Sequence, residues 1–263
     1  MIEAVTLDFG NTLVPVASEA LRGVVRITAE ALARDLGGLD PEVVMRLWSE
    51  ERERQFREEV PEGREVDLAQ RVVRILARLR GMAAPGPAER WDDAGAARLA
   101  DPDEVDAVVM TYSNAFVASL PPAPGAGRVI AALATNHRVA ILSNWPLSVT
   151  IDRYCEAAGW MPDLAAVVVS QRVGAIKPYP AIFAAARAAL GDPPAHAILH
   201  VGDDWTADVV GAKRVGWLAA WLAERPSDSP LPGSERDGSV EADLVLGSLE
   251  ELPAGVERLD RHG

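Results

Sequence analysis

The sequence predicts an α/β protein, a parallel-sheet domain split after its first strand by a helical insertion. Three observations carry that expectation. Six short β-branched or apolar runs recur along the chain, each about the length of a buried strand. The later runs alternate with helical patterns, as a parallel sheet requires. Between the first run and the second, residues 17–120 hold helical stripes and no convincing strand.

In chain order, the first strand is expected at 4–9. Within the insertion, Leu21, Val24, Val25, Thr28 and Leu32 share one helical face, and Val43, Val44, Leu47 and Trp48 share a second. Val66, Ala69, Val72, Val73, Leu76 and Leu79 form a third stripe; Val105, Val108, Val109, Tyr112 and Phe116 form a fourth. Asp40-Pro41 reads as an N-cap with proline at the first helical position, and Asp101-Pro102 repeats it with Glu104 three residues after the cap. The charge run at 50–54 reads as a solvated helix face. PPAPGAG at 121–127 punctuates the return to strands at 138–143, 165–170, 197–201, 217–221 and 243–246. Helices are expected at 126–135, 148–159, 179–190 and 206–215, with Ser148 capping the second. The Pro-, Ser-, Asp- and Gly-rich stretch 224–239 reads as a surface loop. The expected division is a core of 1–16 plus 121–263 and an insertion of 17–120.

Composition bounds the partners. Hydrophobic residues make up 49% of the 263 and charged residues 25%, enough for a real core. A net charge of −13 argues against a nucleic-acid partner, because phosphate backbones need basic surfaces. Any phosphorylated substrate then needs locally placed cations or a metal. The single cysteine, Cys155, excludes an internal disulfide and a Cys-rich metal site, and is expected to be structural. No basic leader opens the sequence, and no run approaches the roughly 18 apolar residues of a membrane span, so a cytoplasmic location without a membrane partner is expected. Oligomeric state is not readable. Basic charge is almost wholly arginine, and the only lysines are Lys177 and Lys213. A lysine in so Arg-biased a chain points to a task for ammonium that guanidinium cannot perform, although two lysines also fit chance.

Four segments at strand ends carry chemistry, where open parallel sheets place their ligand sites. Asp8-Phe9-Gly10-Asn11-Thr12-Leu13 follows the first strand; an aspartate there can attack phosphorus or bind a metal, or merely end the strand in an Asx-turn. Ser143-Asn144 can hold a phosphate oxygen, or can be a plain polar strand end. Lys177, in Gly-Ala-Ile-Lys-Pro, can neutralise a nucleophile and a transferring group, or can be a solvated loop lysine. Asp203, Asp204 and Asp208 crowd a helix start; so many acids are costly without a cation, and their oxygens suit Mg²⁺.

Together, Asp-x-x-x-Thr-Leu, Ser-Asn, Lys-Pro and Gly-Asp-Asp-x-x-x-Asp, each after a strand, resemble the four motifs of the haloacid dehalogenase-like hydrolases. The resemblance covers 1–14 and about 121–250, and implies a Rossmann-like α/β core with an inserted all-helical cap domain. It further implies Mg²⁺ as cofactor, a small phosphorylated molecule as substrate, and an aspartyl-phosphate on Asp8. Thr12, Ser143, Asn144 and Lys177 join Asp8 as candidate catalytic residues. The implied metal ligands are Asp8, the Gly10 carbonyl and Asp203, with Asp204 and Asp208 as a further ligand or supports.

One position departs from the pattern. Phosphatases of this family usually carry a second aspartate two residues after the nucleophile, and here Gly10 stands instead. General acid–base catalysis is worth roughly 10²–10⁴ in rate, so acidic leaving groups, slow turnover or an acid from the cap are expected. The resemblance also admits a metal-free dehalogenase, which lacks that aspartate too but does not keep the Gly-Asp-Asp cluster, and a binder that has lost turnover. Phosphonate-cleaving relatives need a cap lysine, and none precedes Lys177. The four histidines, His137, His196, His200 and His262, show no ligand spacing; His200 is expected in the core. Trp145 and Trp205 are expected either at the cleft mouth or in packing, and Trp217 and Trp221 in the core. The cap arginines Arg22, Arg26, Arg46, Arg52, Arg54 and Arg57 are candidates for substrate selection.

Overall fold

The computed structural model describes residues 1–86 and 88–262; the side chain of His262 lies outside the described residues. At its centre is a six-stranded parallel sheet: β1 (Ala4–Leu7), β2 (Arg138–Ser143), β3 (Ala166–Val169), β4 (Ile198–Gly202), β5 (Leu218–Leu222) and β6 (Leu244–Leu246). The spatial order is β3-β2-β1-β4-β5-β6. β1 pairs with β2 on one side and β4 on the other, Leu7 facing both Ile141 and Val201. All four residues of β1 are buried, which is why the strand reads as a run of apolar and β-branched residues. The chain reverses its direction of growth across the sheet beside β1, leaving a crevice at the carboxyl ends of β1, β2 and β4. The core is Rossmann-like, as expected.

The insertion contributes α1 (Ser18–Asp35), α2 (Pro41–Glu58), α3 (Leu68–Leu79), α4 (Asp93–Ala97) and α5 (Pro102–Ser119). After it come α6 (Ala126–Ala134), α7 (Ser148–Ala157), α8 (Ser170–Val173), α9 (Pro180–Ala189), α10 (Gly211–Arg214) and α11 (Leu252–His262). Alternate residues of β2 feed two apolar layers, Val139 and Ile141 with α6 and α11, Ala140 and Leu142 with α9. Asp40 and Asp101 cap α2 and α5 through the backbone N–H groups of Glu42 and Asp103.

Three local expectations need correction. Ser148 does not cap α7: it is the first helical residue, and its hydroxyl donates to Gln171 Oε1 at 2.7 Å. Glu104 pairs with Arg80 rather than closing a capping box. The helix expected at 206–215 begins as a π-helical turn, Trp205–Val210, before α10. The short helices α4 and α8 give too few residues for a periodic signal. Among the described residues no helix is long and apolar enough to cross a membrane.

Candidate active site

Asp8 is the first residue beyond β1, its N–H tied to the Val201 carbonyl at 2.8 Å. Lys177 reaches it from the loop after α8. The ammonium donates to Asp8 Oδ1 at 2.7 Å, to Asp208 Oδ1 at 2.6 Å and to the Leu142 carbonyl at 3.0 Å. Its three hydrogens therefore meet three acceptors, and the side chain is buried. Asn144 holds the lysine's backbone: its Oδ1 accepts from Lys177 N at 2.7 Å and its Nδ2 donates to Lys177 O at 3.0 Å.

Asp208 is engaged at both oxygens. Besides Lys177, Oδ1 accepts from His200 Nε2 at 3.0 Å, and Oδ2 accepts from the Asp204 N–H at 2.9 Å. An ionised Asp208 requires the His200 proton on Nε2, so Nδ1 accepts from the Thr6 hydroxyl at 2.8 Å. Burial alone would raise the Asp208 pKa; Lys177 and then His200 outweigh it and hold the group well below the carboxylate range. Burial, with Lys177 nearby, lowers the His200 pKa and keeps the ring neutral. Lys177 is the converse: burial opposes its charge, but Asp208 and Asp8 raise its pKa.

Asp203 is held more loosely. Thr12 Oγ1 donates to its Oδ1 at 3.3 Å and Asn11 Nδ2 to its Oδ2 at 3.5 Å. Asn11 adopts φ 58°, a left-handed turn that asparagine tolerates, and so aims its amide inward. Arg225 approaches Asp203 Oδ2 at 3.4 Å. Burial, followed by repulsion from Asp8 and Asp208, pushes the Asp203 pKa up to about 8. Asp8 is raised to about 6 by burial against the opposing pull of Lys177. Asp204 Oδ1 accepts from Ala207 N at 3.0 Å, capping the π-helical turn.

Ser143, the last residue of β2, is buried with a hydroxyl that lacks a hydrogen-bond partner. It stands near enough to Asp8 to favour the carboxylate, without forming an aligned bond. Such an orphaned donor fits an oxygen of a bound anion. At Gly10, an added Cβ would lie 2.6 Å from Leu231 Cδ1 and 3.2 Å from Trp145 Cζ3, so the volume of the missing side chain is filled by the β5–β6 loop. That loop is therefore more than a surface connection. Its Asp228 carbonyl accepts from Ser18 Oγ of α1 at 2.6 Å, its Pro230 carbonyl accepts from Arg52 Nη2 of α2 at 3.3 Å, and its Ser234 hydroxyl donates to Asp204 Oδ1.

Asp8, Asp203 and Asp208 present oxygens within 4.8 Å of one another. This all-oxygen donor set fits a small hard cation such as Mg²⁺. Asp203, with only long contacts, and Asp8, with one oxygen on Lys177, are the members with capacity left. The site opens into a cavity of about 650 Å³ between the insertion and the core. Arg22 and Arg52 line it, and so does Arg71, which the stripe of α3 hides in the sequence. Arg71 shares the buried face with Leu68, Val72 and Ile75, so a charge at an apolar-face position was the available signal. Arg54 instead joins the carboxylates Glu51 and Glu58. Trp145 lines the cavity, whereas Trp205 is fully buried with its indole N–H on Asp237 at 2.9 Å. Trp217 is buried; Trp221 is half-buried and donates to the Asp203 carbonyl at 3.3 Å. His137 bonds the Ile2 carbonyl at 3.0 Å, away from the acids. Cys155 is buried, its thiol pushed up to about 12 by desolvation.

Comparison with known proteins gives the family and the fold. The family model described as haloacid dehalogenase-like hydrolase matches residues 2–216. The pyrimidine 5'-nucleotidase YjjG of Escherichia coli K12 is 29% identical over 119 residues, which is 45% of this chain and 52% of that protein, about half its length. A 2-haloacid dehalogenase from Pseudomonas syringae pv. Tomato DC3000 superposes with a TM-score of 0.70 at 22% identity, covering 98% of this chain and 100% of that one. The HAD-hydrolase YfnB from Bacillus subtilis, bound to magnesium, gives 0.55 at 18% identity over 95% and 96%.

Proposed function

The chain belongs to the haloacid dehalogenase-like hydrolases, and on that premise we propose that it is a magnesium-dependent phosphatase of a small phosphorylated metabolite. The observation that carries this reading is the Lys177 ammonium clamped between Asp8 and Asp208 beside a third buried acid, Asp203. Three carboxylates around one lysine leave negative charge that a divalent cation offsets.

In this mechanism Asp8 attacks phosphorus, forming an aspartyl-phosphate as the ester oxygen departs with the bonding electrons. Water then attacks the same phosphorus, releasing inorganic phosphate and restoring Asp8. Lys177 offsets charge on the nucleophile and the transferring group, and the Ser143 hydroxyl donates to a phosphoryl oxygen. Asp208 and Asn144 keep Lys177 in position, and Thr12 orients Asp203. When bound by Asp8, Asp203 and the Gly10 carbonyl, Mg²⁺ supplies further positive charge to the phosphoryl oxygens. Because Gly10 has no proton to give, esters of acidic alcohols are the favoured substrates.

The decisive experiment grades phosphate esters by leaving-group pKa, with and without Mg²⁺. A steep dependence together with loss of activity on chelation is expected; a flat series, or full activity in a chelator, counts against the proposal. The competing reading is metal-free attack of Asp8 on a carbon–halogen bond. Dehalogenases also lack the second aspartate, although they carry Tyr rather than Gly at position 10, and the Arg225 cation already facing Asp203 supports this reading. Chloride release from a 2-haloacid in a chelator would decide for it.

A further inference from the structure

Two arginines of α3 are buried, and they differ in kind. Arg74 is paired: its Nε and Nη2 meet Asp93 Oδ1 at 3.0 and 2.9 Å. Arg71, only 4% exposed, has no carboxylate at ion-pair distance among the described residues. Its Nε donates to a neutral acceptor, Gln55 Oε1, at 2.9 Å, and its guanidinium lies 5.7 Å from the centre of the Trp48 ring. Its terminal nitrogens make no hydrogen bond among the described residues, and the side chain lines the same cavity as Asp8 and Lys177. Glu65 and Asp67 favour its charge from farther off, while Arg52 opposes it. A buried cation without an anionic partner is destabilising unless something else supplies the anion.

The surrounding wall says what kind of molecule brings that anion. Trp48 stacks on Tyr112 with centroids 5.8 Å apart and planes at 17°, and Phe56 and Trp145 add flat apolar surface. We infer that Arg71 is a specificity-determining residue, reading a second anionic group, a carboxylate in the probes below, on a substrate whose body is flat or aromatic. This rests on the phosphatase reading for the first group only. Arg71 pairs with the distal anion through its free terminal N–H groups, while the phosphoryl end meets Asp8 and Lys177.

The test is calorimetric titration of the full chain carrying Asp8→Asn, which blocks turnover, with phenyl phosphate, 4-carboxyphenyl phosphate and benzoate. The carboxylated ester is expected to bind about tenfold tighter than phenyl phosphate, the worth of a charge-assisted hydrogen bond. Adding Arg71→Met brings that ratio to about one, and Arg71→Lys restores part of it. A ratio near one with Arg71 intact, or one that Arg71→Met leaves unchanged, overturns the inference. If benzoate binds in an Arg71-dependent way and phenyl phosphate does not bind, Arg71 stands and the phosphatase reading falls. If phenyl phosphate binds and the carboxylate adds nothing, the reverse holds. Binding by none of the three overturns both. Thermal melting supplies the control: Arg71→Met, which relieves a lone buried charge, is expected to melt no lower than the parent, whereas Arg74→Met melts lower. Equal losses in the two variants mark Arg71 as structural and overturn the inference.

Discussion

Lys177 offers three hydrogens from one nitrogen to acceptors on three different elements, a geometry that a planar, wider guanidinium cannot reproduce. Both Lys177→Arg and Lys177→Ala are therefore expected to lower kcat by about 10²–10³-fold, the range for removing one preorganised donor; steady-state rates within tenfold of the parent would contradict the role. The acids predict a pH response. Asp203 titrates near 8 in the fold against 3.8 ordinarily, so the folded chain binds its proton more tightly than the unfolded chain does. Its contribution to stability is present at low pH and is lost as pH rises through about 8. His200 works in the opposite sense, its depressed pKa adding stability with rising pH only up to its ordinary 6.5. The clear window is thus between 6.5 and 8, where the metal-free melting temperature should fall, Mg²⁺ should recover it, and Asp203→Asn should flatten the slope. A melting temperature that rises across this window contradicts the assignment. Gly10 gives a third expectation. Its side-chain space is occupied by Leu231, so Gly10→Asp alone meets a clash, while Gly10→Asp with Leu231→Ala admits an acid. The double variant should gain more on alkyl than on aryl phosphates in kcat/KM, and an equal gain on both would remove the meaning given to Gly10.

The elements divide into those legible in the sequence and those that long-range packing creates. β1, β2 and β4 are legible because burial on both faces leaves apolar runs, β3, β5 and β6 as apolar runs that are only partly buried, and α2 and α5 because Asp-Pro marks their starts. The four motif segments are legible because each follows such a strand. The β5–β6 loop is not: Pro, Ser and Gly mark it as irregular, but only the fold shows it bridging α1, α2 and the acids. His200 is legible as a buried strand residue, yet its hold on Asp208 depends on a π-helical turn that no periodicity announces. Arg225 was likewise invisible, since its partner lies across a strand and a loop. Its guanidinium would compete with the proposed divalent ion for Asp203, and it also holds the Leu231 carbonyl at 3.0 Å. Because the side chain is partly exposed, the competition is modest, on the order of 1 kcal/mol. Arg225→Ala should tighten Mg²⁺ binding by about fivefold in calorimetric titration; weaker binding would mean that the loop's support matters more than its charge.

At the scale of the molecule, the helical insertion and the sheet are separate in sequence but not in packing. Val24, Val44, Leu68 and Val108 belong to the same apolar cluster as Leu7, Val139 and Ile141. The rings continue it across the boundary, with Phe116 of α5 lying 5.2 Å from Trp145 and 6.3 Å from Phe9. Backbone bonds cross as well: Leu68 N donates to Pro146 O at 2.9 Å, and Ile176 N, beside Lys177, donates to Gly63 O at 3.1 Å. Two modules joined only by linkers would unfold independently, whereas a shared core makes loss of one expose the other. The chain is therefore expected to melt in one transition, with calorimetric and van't Hoff enthalpies equal and with tryptophan fluorescence and far-UV dichroism coinciding. Gly63 probes the coupling directly. It sits at φ 75°, and an added Cβ would lie 2.8 Å from the Tyr179 ring, so Gly63→Ala strains a backbone bond that ties the insertion to the lysine loop. That variant should melt lower by the equivalent of about 1–2 kcal/mol and should lose kcat as well, because the Lys177 loop moves with it. Two resolved transitions in the parent, or a Gly63→Ala enzyme with a lowered melting point and undiminished kcat, would separate the insertion from the chemistry.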